Sequence, residues 1–203
     1  MKFIFASVFG LLASGALAQS ETYETGAFRA IDVRDDVQVS VTIGDEYLVE
    51  ATAVKGDLAQ LRLKEFLPWL AIDRDTRWLI WPQWRDDVFA LEIQTPVMNG
   101  VKALEGASLT FSGDADRRLW AEAGDGGLLT LTDLDVYELT IMGQRDGRIV
   151  ADGVCEELTI RGQGAFVDAR GLDCASIVVD ADGSEVLLPD GAQVLDEHPD
   201  RES

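Results

Sequence analysis

Leu139-Thr140-Ile141-Met142-Gly143 and Leu158-Thr159-Ile160-Arg161-Gly162 are two copies of one short motif, and this repetition decides the fold. Related copies begin at Leu119 and Ile177, so the four copies start 20, 19 and 19 residues apart. Each copy is followed by a second segment in which apolar residues alternate with other residues. A fixed period near 20 residues, with short strands and glycine turns, is typical of a solenoid.

The apolar positions of the repeat define a buried side. Side chains alternate between the two faces of a strand, so the first and third positions of each copy point the same way. A single coil cannot bury such a face, whereas stacked coils bury a continuous core. The pattern predicts an all-β, single-stranded, right-handed parallel β-helix with coils of about 19–20 residues. The alternative is an antiparallel sandwich or barrel, whose strands also recur at short, regular intervals.

The two cysteines fit the same period. Cys155 and Cys174 are 19 residues apart, which is one coil. Coils stacked in register would bring their Cα atoms to about 5 Å, within reach of a disulfide. Aligning Val154 with Leu172 gives a separation of 18 residues instead, so the coil needs one residue of slack at this corner. We predict a structural disulfide if the chain reaches an oxidising compartment; a free buried pair and a redox site are the alternatives.

The N-terminus has the pattern of a secretory signal peptide. Met1-Lys2 precedes an apolar run over residues 3–17, which ends in Ala16-Leu17-Ala18. We therefore predict a signal peptide over residues 1–18, since the run is too short for a good membrane span. An N-terminal extension (19–27), the solenoid domain (28–195) and a disordered tail (196–203) follow. The mature chain is expected in the periplasm, at the outer membrane or outside the cell of a Gram-negative bacterium, without spanning a membrane.

The charge limits the partners. The formal net charge is −20. Nucleic acids and anionic membranes both attract basic surfaces, so neither is an expected partner. The acidity indicates a solvated exterior that resists aggregation. The remaining candidate partners are proteins or glycans of the envelope or the cell surface.

Catalytic and metal-binding motifs are missing from the sequence. The one histidine, His198, lies in the predicted tail, which excludes the usual Ser/His/Asp, Cys/His and multi-histidine zinc sites. Asp180-x-Asp182-Gly183 offers oxygen ligands for calcium, but aspartate is also a common turn residue, and we favour the turn. We predict no enzyme activity, no cofactor and no metal.

Tryptophans cluster in one irregular stretch. Trp78, Trp81 and Trp84 fall within residues 77–85, and Trp69 lies shortly before them. Exposed tryptophan suits a ligand or partner surface, because it gives a large contact area at low entropic cost. The alternative is that these rings cover an open end of the solenoid, as terminal coils require.

The first half of the chain is also patterned. Strands are predicted over residues 28–33, 37–43 and 47–54, and Asp57 is placed to cap a short helical turn. The spacing of the apolar residues in these strands, with Leu70-x-Ile72, Ile93-x-x-Pro96 and Val101-x-x-Leu104-Glu105-Gly106-Ala107, resembles the head-GIN domain family. The resemblance covers about residues 28–191 and implies an exported bacterial β-helical protein, since the family is described as "putative autotransporter adhesins".

One feature of the family is altered here. Its Ser-Gly-Ser-Gly turns are replaced by turns such as 123–127 and 143–147, which keep the glycines and lose most of the serines. The resemblance implies no catalytic residues. We therefore expect an exported adhesin-like or envelope-associated binding or scaffold protein. The alternative is a carbohydrate-binding or carbohydrate-active β-helix protein, in which aromatic and carboxylate side chains meet in one groove.

Overall fold

The computed structural model describes residues 19–75, 87–192 and 194–195. The predicted signal peptide and tail lie outside these residues and stay predictions. The described chain is nearly all β and forms a solenoid of about four turns, as the repeat predicts. In chain order the strands are β1 Gln19–Tyr23, β2 Ala30–Val33, β3 Gln38–Ile43, β4 Leu48–Lys55, β5 Leu61–Phe66, β6 Trp69–Arg74, β7 Val88–Thr95, β8 Gly100–Leu104, β9 Ser108–Ser112, β10 Arg118–Gly124, β11 Leu128–Gln144, β12 Arg148–Gln163, β13 Phe166–Asp182, β14 Glu185–Leu187 and β15 Val194–Leu195.

Two stacks of parallel strands form the sides of the solenoid. Face A contains β6, β2, β8 and β10, then the C-terminal parts of β11, β12 and β13, and finally β15. Face B contains β7, β3 and β9, then the N-terminal parts of β11, β12 and β13, and finally β14. A full turn of the solenoid therefore passes once along each face.

The repeat predicts the stacking in the C-terminal half correctly. Leu119, Leu139, Leu158 and Ile177 stand side by side on neighbouring strands and are almost fully buried. The one-residue slack is also present, but Val154 pairs with Asp173, not with Leu172. The register shift lies earlier, between Val150 and Asp152, so the residues of the following corner pair in regular register.

Glycine allows the coils to approach at the corner that leads from face A to face B. A β-carbon at Gly127 would collide with the carbonyl oxygen of Ala103 on the neighbouring coil. One at Gly147 would collide in the same way with the carbonyl oxygen of Ala123. Gly127 and Gly147 are therefore required by the spacing of the stack.

The N-terminal end departs from a simple helix of coils. β2 lies between β6 and β8, so the order of strands in the stack is not their order in the chain. β4 and β5 pair antiparallel with β7 and β6, and β1 pairs antiparallel with β4. Because β4 and β5 lie on the outer edges of β7 and β6, the strand order of the described sheet ends at β1 and β5. The predicted Asp57 cap is present: its carboxylate accepts a hydrogen bond from Ala59 N–H, before the 3-10 turn Leu58–Gln60.

Candidate binding face

The structure does not describe the predicted tryptophan cluster. Trp78, Trp81 and Trp84 lie outside the described residues, so their role as a cap or as a ligand surface stays a prediction. Two other tryptophans, Trp69 and Trp120, lie within the described part of the chain and are half-buried. Both point outward from face A, which makes the outer side of this face the strongest candidate for a binding surface.

The stacking of face A brings these two rings together. Trp69, Ala30, Gly100 and Trp120 occupy the same position on four successive strands. The two small residues in the middle leave room above them, and the rings meet there edge to face, with centroids 5.8 Å apart. A β-carbon at Gly100 would lie 3.1 Å from the β-carbon of Ala30 and 3.7 Å from the Trp69 ring. Small residues on the central strands therefore permit the aromatic pair.

Charged side chains occupy the next outward position along the same strands. Asp32, Lys102 and Glu122 are register neighbours on β2, β8 and β10. Lys102 Nζ lies 3.1 Å from a Glu122 carboxylate oxygen and 5.7 Å from the centre of the Trp120 ring. Glu122 is buried and also accepts a hydrogen bond from the Gln144 amide. A buried carboxylate needs such partners, because an unpaired charge there would be costly.

The ring of Trp120 is fixed from a third side. Its indole Nε1–H donates to the sulfur of Met142 at 3.0 Å. With the Trp69 ring and the Lys102 ammonium, this contact determines how Trp120 is oriented. We call Trp69, Trp120, Asp32, Lys102 and Glu122 the tryptophan face. It offers two aromatic rings beside donors and acceptors on rigid strands, which is an arrangement for binding.

Acidic residues accumulate at one border of the tryptophan face. Arg34 donates to both oxygens of Asp32, at 3.0 and 2.8 Å, and lies 3.6 Å from Glu105. The hydrogen bonds to Asp32 raise the pKa of Arg34. Burial raises the pKa of Glu105 above its ordinary value, and the neighbouring Asp35 raises it further. The Glu105 carboxylate therefore binds a proton more readily than an ordinary glutamate carboxylate does.

Sequence reasoning did not identify the tryptophan face. The offset of 20 between Gly100 and Trp120 is one coil and could have been read from the sequence. The position of Trp69 could not, because it depends on the insertion of β2 between β6 and β8. The described residues contain no group of three or more His, Cys, Asp or Glu side chains that could hold a metal ion.

The disulfide predicted from the period is present. Cys155 and Cys174 are register partners on β12 and β13, and their sulfurs are bonded. Their Cα atoms lie 4.5 Å apart, close to the spacing of adjacent strands. The bond ties the last long strand of the solenoid to the strand before it.

The fold and the tryptophan face define a β-solenoid with a rigid lateral surface, and comparison with known proteins agrees with this class. Residues 27–186 match the family described as "Putative auto-transporter adhesin, head GIN domain". The chain belongs to this family, as its apolar spacing indicated. Among curated proteins, none matches the sequence.

Solved structures share the architecture. A putative adhesin from Bacteroides fragilis superposes with a TM-score of 0.74 at 13% identity, covering 85% of this chain and 80% of that one. A "putative lipid binding protein" from Parabacteroides distasonis gives 0.60 at 11% identity, covering 81% and 78%. A putative adhesin from Parabacteroides merdae gives 0.53 at 13% identity, covering 83% and 80%. At these identities the similarity shows the fold.

Hydrophobic helices are not a feature of the described chain. Across residues 19–75, 87–192 and 194–195, no helix has the length and apolar character needed to cross a bilayer.

Proposed function

We propose that the chain is an exported, adhesin-like protein that binds an envelope or cell-surface partner through the tryptophan face and has no catalytic activity. Family membership supports an adhesin-like role. The observation that carries the choice of surface is the meeting of Trp69 and Trp120 on the outside of a packed sheet. Tryptophan is one of the side chains that are enriched among binding hot spots.

The geometry of the face suits recognition more than packing alone. The inward side chains of face A already fill the core, so the outward rings are not needed to complete it. The strands that carry the rings, β6 and β10, are each paired on both sides, which fixes the rings before any partner arrives. A preorganised surface loses less conformational entropy on binding.

A glycan is the partner that one specific observation favours. Aromatic rings and polar groups lie within one surface: Trp120 is next to Lys102, whose ammonium pairs with the Glu122 carboxylate. Sugars stack their apolar faces on such rings and exchange hydrogen bonds with adjacent charged groups. The tryptophan face therefore offers a second place for the carbohydrate-binding alternative, beside the surface predicted at Trp78, Trp81 and Trp84.

Binding of purified residues 19–203 to arrays of surface glycans and to immobilised envelope proteins tests this function. Trp120→Ala removes one ring of the pair, and Thr130→Ala changes a half-buried, outward side chain on face B as a matched control. We expect saturable binding that Trp120→Ala weakens at least about tenfold and Thr130→Ala leaves unchanged. Equal binding by both variants would show that the partner uses another surface.

Export is tested separately. The proposal expects the full chain to be found outside the cytoplasm when it is expressed in a Gram-negative host, and a chain lacking residues 1–18 to stay inside. Cell fractionation followed by immunoblotting measures this. Retention of the full chain in the cytoplasm would contradict the exported role.

A further inference from the structure

The hairpin that joins β5 and β6 has an unusual tip. Its turn is Leu67-Pro68, flanked by the cross-strand pair Phe66 and Trp69. The relative exposure is 79% for Leu67 and 54% for Phe66. Tight turns elsewhere in the described chain contain left-handed Asp, Glu, Arg or Gly residues, whereas this turn is formed by Leu67 and Pro68 without one. Turn formation accounts for Pro68 but not for the exposed side chains of Phe66 and Leu67.

The tip is held in place, so its exposure is a fixed feature. The carbonyl oxygen of Pro68 accepts hydrogen bonds from Arg29 N–H at 2.9 Å and Ala30 N–H at 3.1 Å. These bonds tie the turn to β2. β5 lies beside β6 at the end of face A, and within the described residues it pairs with β6 alone, so the hairpin stands at the margin of the solenoid.

The surroundings of the tip match the interface of a lipid bilayer. Trp69 lies at its base, where tryptophan prefers the depth of the lipid head groups. The exposed side chains of Arg29 and Lys64 flank it, within reach of lipid phosphates. The neighbouring carboxylate of Glu65 is turned toward the protein, since it accepts a hydrogen bond from Gly26 N–H at 2.9 Å.

We propose that the exposed side chains of the hairpin tip, Phe66 and Leu67, insert into the interface of a zwitterionic lipid bilayer and hold one end of the solenoid against the membrane surface. A protein partner is less suited to the tip, because two exposed side chains provide far less area than the roughly 1,200 Å² of a stable interface. An anionic bilayer is disfavoured by the net charge of −20. The apolar contact itself therefore supplies the attraction.

Co-flotation of purified residues 19–203 with phosphatidylcholine vesicles at 0.15 M salt tests the proposal. Leu67→Ser and Phe66→Ser remove the inserted side chains, and Val54→Ser is the control, because Val54 is 62% exposed but lies on β4. We expect the wild type and Val54→Ser to float with the vesicles. Each tip variant should lower the partition coefficient about tenfold or more, since an inserted Leu or Phe loses most of its transfer free energy.

Two outcomes of the flotation experiment would contradict the proposal. Absence of flotation for the wild type, or equal flotation of all four proteins, would overturn lipid insertion. Thermal unfolding of each variant checks that the fold is kept, which is expected for exposed positions. The vesicles contain no protein or glycan partner, so failure here and failure of the proposed adhesin-like function are distinguishable.

Discussion

Reduction of the Cys155–Cys174 disulfide should destabilise the C-terminal end of the solenoid by a calculable amount. The bond closes a loop with a sequence separation of 19 residues. In the chain-entropy description, a loop of this length removes roughly 11 cal/mol/K from the unfolded state, or about 3 kcal/mol at 25 °C. For a chain of this size, that free energy corresponds to a melting temperature lower by about 6–12 °C.

The measurement is thermal unfolding of residues 19–203 by circular dichroism, with and without reductant, beside a Cys155→Ala/Cys174→Ala double variant. The reduced wild type and the double variant should melt at similar, lower temperatures. Hydrogen exchange should show the loss concentrated in β12 and β13, the strands that the bond connects. An unchanged melting temperature in both samples would refute the reasoning, because the bond would then not constrain the unfolded chain as the estimate requires.

Two further predictions concern the core and the acidic corner. Leu139→Ala empties a fully buried position in the middle of the stack and should cost about 2–5 kcal/mol in urea unfolding, whereas Thr140→Ala, on the outer side of the same strand, should cost less than about 1 kcal/mol; equal costs would contradict the assigned faces. The pKa of Glu105 is raised in the folded chain, so its favourable contribution is complete below its ordinary value of 4.5 and is lost as the pH rises through the raised value. Glu105→Gln should therefore raise the melting temperature at pH 7 and flatten its fall between acidic and neutral pH; a steeper fall would reverse the assigned sign.

The C-terminal stack could be predicted because its information is local and periodic. Leu119, Leu139, Leu158 and Ile177 recur at one coil length, and the same length places Cys155 opposite Cys174. Each coil repeats the contacts of its neighbour, so one motif determines many pairings. The slack residue is predictable only in part: its existence follows from the spacing in the sequence, while its location between Val150 and Asp152 depends on how the strands pair.

The N-terminal end could not be predicted in the same way. The positions of β2, β4 and β5 depend on contacts between segments that are far apart in the chain and share no repeat. The pairing of Trp69 with Trp120 follows from that arrangement, and so does the exposed tip at Leu67. The cluster of Trp78, Trp81 and Trp84 lies outside the described residues, so the surface predicted there stays a prediction beside the rings that the stack brings together.

Binding at the tryptophan face is tested by titration of the array-selected ligand against purified residues 19–203. Intrinsic tryptophan fluorescence reports the titration, with Trp120→Ala and Thr130→Ala measured beside the wild type. We expect a saturable change in fluorescence for the wild type and Thr130→Ala, and an affinity at least about tenfold lower for Trp120→Ala. Undiminished affinity in Trp120→Ala, with its fold intact, would show that the tryptophan face is not the binding surface.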